Sequence, residues 1–202
     1  MTMAAALDFY FDFASPYGYF ASLSIDERAA RHGRRVVWRP ILLGAVFKVT
    51  GMRAVVEQPL RGDYLHRDVA RIARLLKAPL KTPPVVPVNA LAASRACWWL
   101  YGRDPEESKA LARALYHATW GEGRDIAPAA VVAEVATGIG IDADAVMAGM
   151  HEQSTKDRLR DETEKAIARG VFGSPFVFVD DEPFWGWDRL DMVERWMVEG
   201  GW

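Results

Sequence analysis

The sequence predicts an α/β fold: a βαβ unit at one end, a β-turn-β-α unit at the other, and a long helical block between them. Three observations carry that prediction. Leu7, Phe9, Phe11 and Phe13 alternate with other residues, and side chains two apart share one face of a strand. The apolar run Phe176 to Val179 is followed by a turn and by Phe184-Trp185, which reads as a closing hairpin. Between about 45 and 169 the apolar residues recur at helical spacing, and nothing there reads as a strand.

Taken in order, Ser15-Pro16 opens a helix, since serine is a good N-cap and proline fits a first helical turn. That helix is expected to run to about Arg31 and stop at Gly33. Val36 to Trp38 is the second strand and ends before Pro40. A βαβ unit normally closes right-handed with its strands parallel. Leu65, Val69, Ile72 and Leu76 share a helix face, with Asp63, Arg67, Arg71 and Arg74 elsewhere on its surface. Pro79, Pro83, Pro84 and Pro87 mark a loop. Helical patterns resume over 89–101, 105–119 and 128–136, again after the Asp142 cap, and over 153–169. The third strand is Phe176 to Val179, the turn Asp180 to Pro183, the fourth strand Phe184-Trp185, and Asp188 is expected to cap a last helix through Trp196. This is the thioredoxin plan with a large all-helical insertion: 1–44 and 170–202 form the thioredoxin-like domain and 45–169 the insertion.

Composition narrows the function. A formal net charge of -2 over 202 residues gives no reason to expect a nucleic-acid or membrane partner. Four histidines and one cysteine leave little material for a metal site. Because Cys97 is alone, no internal disulfide or dithiol is possible, and a reducing, cytoplasmic location is expected. Met1 to Leu7 carries no basic residue, so no signal peptide is read there. No apolar run approaches the ~20 residues that span a bilayer.

Two short motifs carry chemistry. Ser15-Pro16-Tyr17-Gly18 sits at a strand-to-helix junction, where backbone N–H groups can stabilise an anion such as a thiolate. The same serine also reads as a plain helix cap. Gly173-Ser174-Pro175 precedes the third strand. Proline there cannot donate to the ladder, and the Ser174–Pro175 peptide is expected to be cis.

The ordered set of motifs resembles the 2-hydroxychromene-2-carboxylate isomerases, which are similar to kappa-class glutathione transferases and share the DsbA-like fold. The carrying residues are Phe9-Tyr-Phe-Asp12 with Ser15-Pro-Tyr17, Leu43 to Lys48, Gly62 to Leu65 with Arg67-Asp68, Val171 to Pro175, and Phe184 to Leu190. Redox relatives hold Cys-x-x-Cys where this chain has Ser15 to Gly18, which excludes dithiol exchange. The resemblance implies glutathione as cofactor, with its sulfur near the Ser15 hydroxyl and with Pro16 and Tyr17 beside it. The cysteinyl backbone would pair with Ser174 next to Pro175. The γ-glutamyl end would meet Trp185, Trp187 and Asp188. Lys48 matches a family position near the substrate carboxylate. Asn89 either faces the same cleft or caps the helix that follows it.

One departure stands out. Thr50-Gly51 is followed by Met52, where family members commonly carry an asparagine. His66 and His117 read as structural or exposed, and the Cys97-Trp98-Trp99 run as core or dimer interface. The favoured function is glutathione-dependent isomerisation of 2-hydroxychromene-2-carboxylate and trans-o-hydroxybenzylidenepyruvate, or of a related aromatic keto acid, by a homodimer in aromatic catabolism. A kappa-like transferase and a non-catalytic thiol-peptide binding module are the alternatives.

Overall fold

The computed structural model describes residues 6–202. Its single sheet has four strands, β1 (Leu7–Phe11), β2 (Val36–Pro40), β3 (Phe176–Val179) and β4 (Glu182–Trp185), in the order β2-β1-β3-β4. β1 runs parallel to β2 and antiparallel to β3, and β3 and β4 form a hairpin. This is the thioredoxin sheet. β2 extends through Pro40, paired with Phe11, beyond the boundary read from sequence. Proline is tolerated there because it ends an edge strand. The hairpin turn is only Asp180-Asp181, both at positive φ (50° and 72°), and Glu182 and Pro183 belong to β4. Two consecutive left-handed residues give the turn whose twist matches the strands.

The first predicted helix is two helices, α1 (Pro16–Ser22) and α2 (Ile25–Arg31). Ser22 donates its hydroxyl to the Tyr19 carbonyl at 2.6 Å, and Ser24 leaves helical geometry at φ -138°. The break lets α2 turn toward the last helix, where Arg28 pairs with Asp191 and Glu194. Between β2 and β3 lie α3 (Leu43–Thr50), α4 (Arg61–Leu76), α5 (Leu91–Tyr101), α6 (Pro105–Tyr116), α7 (Ala129–Gly138), α8 (Ala143–His151) and α9 (Gln153–Ala168). A π-helical turn, His117–Gly121, extends α6. The chain closes with α10 (Leu190–Glu199). None of the helices described is long and apolar enough to cross a membrane.

Each face of the sheet has its own core, as strand alternation requires. Phe9, Phe11, Trp38 and Val177 join the large cluster shared with α1 and α4 to α8. Tyr10, Phe176 and Phe178 face the other way, against Val46 of α3 and Ala166 of α9. Cys97, Trp98 and Trp99 are buried, so that run packs the interior. Three aromatic donors of the helical block reach carbonyls at the ends of β1 and β2. Trp98 Nε1 donates to Pro40 (2.9 Å), Trp120 Nε1 to Phe13 (2.8 Å) and the Tyr116 hydroxyl to Asp12 (3.0 Å). Buried carbonyls left without donors would be costly, so these bonds fix how the helices sit on the sheet.

Candidate active site

Ser15 is the N-cap of α1, in extended geometry (φ -96°, ψ 114°). Its Oγ accepts from Gly18 N at 3.1 Å, which satisfies a first-turn amide. The same hydroxyl donates its one proton to the Ser174 carbonyl at 2.8 Å. The two motifs found 159 residues apart in sequence are thus hydrogen-bonded to each other. The Ser174–Pro175 peptide is cis, as is Val86–Pro87, which carried no such expectation. The Ser174 N–H has no acceptor among the described residues. Pro175 O accepts from Gly186 N at 3.0 Å, carrying the hairpin pairing one step past Phe176.

Asp12 joins these parts, and sequence reasoning gave it no role. Its carboxylate accepts from Ala14 N (2.8 Å) and from Leu43 N at the start of α3 (2.7 Å). Its N–H donates to Ser174 Oγ at 3.0 Å, and its carbonyl accepts from Ser15 N and from the Tyr116 hydroxyl. One residue therefore ties the Ser15 loop to the segment before β3, to α3 and to α6. Burial pushes its carboxyl up to about 6, against the two backbone donors that hold it down. The only sequence signal was an acidic residue ending an apolar strand, which also fits a loop start.

On the family resemblance, Gly18 stands where redox relatives carry their second cysteine. A Cβ there would fall on the Tyr116 hydroxyl and lie 3.0 Å from Ser174 Oγ. The volume a dithiol needs is filled by tyrosine. Tyr17 donates its hydroxyl to Asp68 of α4 at 2.9 Å, and Asp68 also receives Arg71 at 3.0 Å. Burial first, then the Asp68 carboxylate, hold the Tyr17 phenol well above its ordinary range. The Asp188 charge adds to that effect.

Trp185 is half exposed and lies edge-on to Phe172, ring centroids 4.8 Å apart. Gly173 is needed beneath it, because a Cβ would meet the Trp185 indole nitrogen. Trp187 packs edge-on to Phe20 of α1. Asp188 does not cap the last helix. It sits in a 3₁₀ turn, Trp187–Arg189, whose tight geometry delays α10 to Leu190, and its carboxylate pairs with Arg189 at 2.9 Å. Gly186, at φ 113°, makes the turn possible, since a side chain there would strike the Asp188 carboxylate.

The substrate-side residues are less convergent. Lys48 is exposed near the end of α3 and makes no ion pair among the described residues. Its link to Ser15 is indirect, through the Leu43–Asp12 bond at the other end of that helix. Asn89 is exposed, and its side-chain oxygen accepts from Leu91 N at 3.1 Å in a local turn just ahead of α5, whose N-cap is Ala90. No described contact brings it to the Ser15 loop. Met52 is exposed just past the left-handed Gly51. His66 and His117 are exposed, and burial pushes the Cys97 thiol far up, which makes it unreactive.

Residues 6–197 match the model of the DSBA-like thioredoxin domain. The chain is 31% identical to the 2-hydroxychromene-2-carboxylate isomerase of Sphingobium xenophagum, over 98% of this chain and 100% of that one. It is 26% identical to glutathione s-transferase kappa 2 of Caenorhabditis elegans, over 95% of this chain and 91% of the relative. A solved structure of a 2-hydroxychromene-2-carboxylate isomerase superposes with a TM-score of 0.86 at 30% identity, covering 96% of this chain and 94% of the other.

Proposed function

Because this chain belongs to the 2-hydroxychromene-2-carboxylate isomerase family, on a DSBA-like thioredoxin domain, we propose that it is a glutathione-dependent cis–trans isomerase. Its proposed substrates are 2-hydroxychromene-2-carboxylate and trans-o-hydroxybenzylidenepyruvate, or a related aromatic keto acid. Isomerase activity follows from the family; dependence on glutathione is the proposed part. The observation that carries it is the Ser15–Ser174 hydrogen bond beside an unused Ser174 N–H.

The residues fit a thiol peptide. Ser174 presents one N–H and one carbonyl at the open end of β3, which is what an added extended strand pairs with. The exposed Trp185 at the end of β4 and the Asp188 carboxylate in the turn that follows it suit the remaining polar ends. Bound glutathione supplies a thiolate that adds reversibly to a conjugated double bond and so permits rotation about it. Ser15 then has a choice of partner. When a peptide N–H satisfies the Ser174 carbonyl, the Ser15 proton turns to the sulfur and stabilises its charge. Lys48 receives the substrate carboxylate and offsets developing enolate charge. Asp12 holds the loop and the start of α3 in fixed relation while this happens. The working unit is proposed to be a cytoplasmic homodimer, checked by light scattering.

Incubating the purified protein with trans-o-hydroxybenzylidenepyruvate, with and without glutathione, tests the reading. Interconversion that requires glutathione supports it. Equal rates without glutathione would remove the cofactor assignment. Conjugation of glutathione to a simple aryl halide, with no isomerisation, would favour the kappa-type alternative.

A further inference from the structure

Charge is spread unevenly along this chain. The stretch from Lys48 to Lys81 holds eight lysine and arginine residues against Glu57, Asp63 and Asp68, while the whole protein has a formal net charge of -2. All eight cations are exposed. Most basic residues elsewhere are held in ion pairs, as Arg28, Arg39, Arg113 and Arg169 are. Within the stretch only Arg71 is so held, by Asp68 at 3.0 Å. The others, Arg67 and Arg74 among them, have no carboxylate at ion-pair distance among the described residues. Glu57 and Asp63 are exposed and pair with none of them.

The fold sets this surface beside the Ser15 site. Val69, Ile72 and Ala73 form the buried face of α4, and Arg67, Arg71 and Arg74 recur at i, i+4 and i+7 on the opposite face. α4 is tied to the Ser15 loop by the Tyr17–Asp68 hydrogen bond, and α3 by the Leu43–Asp12 bond. The carboxylate of Asp68 is engaged by Tyr17, Tyr64 and Arg71. Asp188, the carboxylate that follows β4, is paired with Arg189. Cations without partners leave a net positive field, which reaches about 10 Å at 0.1 M salt and about 30 Å at 0.01 M.

We propose that the unpaired basic surface of α3 and α4 steers small anionic ligands into the Ser15 site. The ligands are aromatic carboxylates and glutathione, whose carboxylates outnumber its ammonium group; their identity rests on the isomerase reading. Such a field raises the encounter rate and the local ligand concentration and leaves the steps after binding unchanged. Arg67 and Arg74 thus act in capture and not in the chemistry.

Turnover of trans-o-hydroxybenzylidenepyruvate at saturating glutathione, followed against sodium chloride concentration, tests this. For wild type, kcat/KM should fall roughly tenfold between about 0.01 and 0.5 M ionic strength, while kcat holds within about twofold. Changing Arg67 and Arg74 together to glutamine should lower kcat/KM several-fold at low salt. Glutamate at both positions should lower it by roughly the square of that factor, because the charge change doubles. Lysine at both should restore the wild-type value, and all four proteins should converge at about 0.5 M. A structural role would be neither graded by charge nor erased by salt. Equal kcat/KM for wild type and both charge-removing variants at low salt, or a loss that persists at high salt, overturns this proposal alone. So does retention on heparin that the glutamate variant loses, with a kcat/KM independent of salt, which gives the surface to a polyanionic partner. No turnover by wild type at any salt overturns the isomerase reading, and this proposal with it.

Discussion

Ser15 and Asp12 show how much one residue does in this site. Ser15 has one proton and, without ligand, spends it on the Ser174 carbonyl. Ser15→Ala removes that bond and the cap, at a cost of about 1–2 kcal/mol, so the chain should still fold. The thiol pKa of bound glutathione should then rise, because a donor to the charged form is gone. Turnover near neutral pH should fall by roughly one to two orders of magnitude. Thiolate absorbance followed against pH checks it, and a profile matching wild type reduces Ser15 to a cap. Asp12 makes a different prediction. Its folded carboxyl, at about 6, lies above the ordinary value near 3.9. Between those values the native state holds more protons than the unfolded chain, so stability falls as pH rises through about 4 to 6 and then levels. Asp12→Asn removes that titration and leaves one of the Ala14 and Leu43 amides facing an NH₂ group. Urea unfolding across that pH range should show a slope for wild type and a flatter line for the variant.

Among the helices, α1 and α3 constrain the chemistry most. α1 approaches Tyr116 so closely at Gly18 that a side chain has no room. Gly18→Ala should therefore cost about 1–3 kcal/mol from overpacking, and adding Tyr116→Phe should recover part of it. Thermal midpoints of the single and double variants decide this, and an unshifted Gly18→Ala midpoint counts against the packing argument. By the same contact, changing Ser15 and Gly18 together to cysteine should not rebuild a dithiol unless Tyr116 moves. On α3, Lys48→Ala should lower turnover of carboxylate substrates roughly tenfold or more and leave glutathione affinity near wild type. Equal losses in both would assign Lys48 to the cofactor instead.

Across the whole molecule, the helical block is registered on the sheet by the aromatic donors Trp98, Tyr116 and Trp120. Trp98→Phe keeps most of the apolar bulk but leaves the Pro40 carbonyl without its donor, and should cost about 1–3 kcal/mol. Denaturant unfolding reads the loss directly. A variant as stable as wild type would mean that packing alone docks the helices.

Local pattern in the sequence determined the strands, most of the helices and the two serine motifs. Alternation in Leu7 to Phe13, the helical spacing around Val69 and the caps Ser15 and Asp142 depend on neighbours a few residues away, so they are visible in one dimension. The family resemblance added roles for Lys48 and Asp188, but not their settings. Tertiary structure decided the rest, because those contacts join residues far apart in the chain. Tyr116 reaches Asp12 across 104 positions and Asp12 reaches Ser174 across 162, and no periodicity records such pairs. The Leu23–Ser24 break and the 3₁₀ turn that takes Asp188 out of a capping position have the same origin. Each depends on which surface a residue is pressed against, and that surface exists only once the chain has folded.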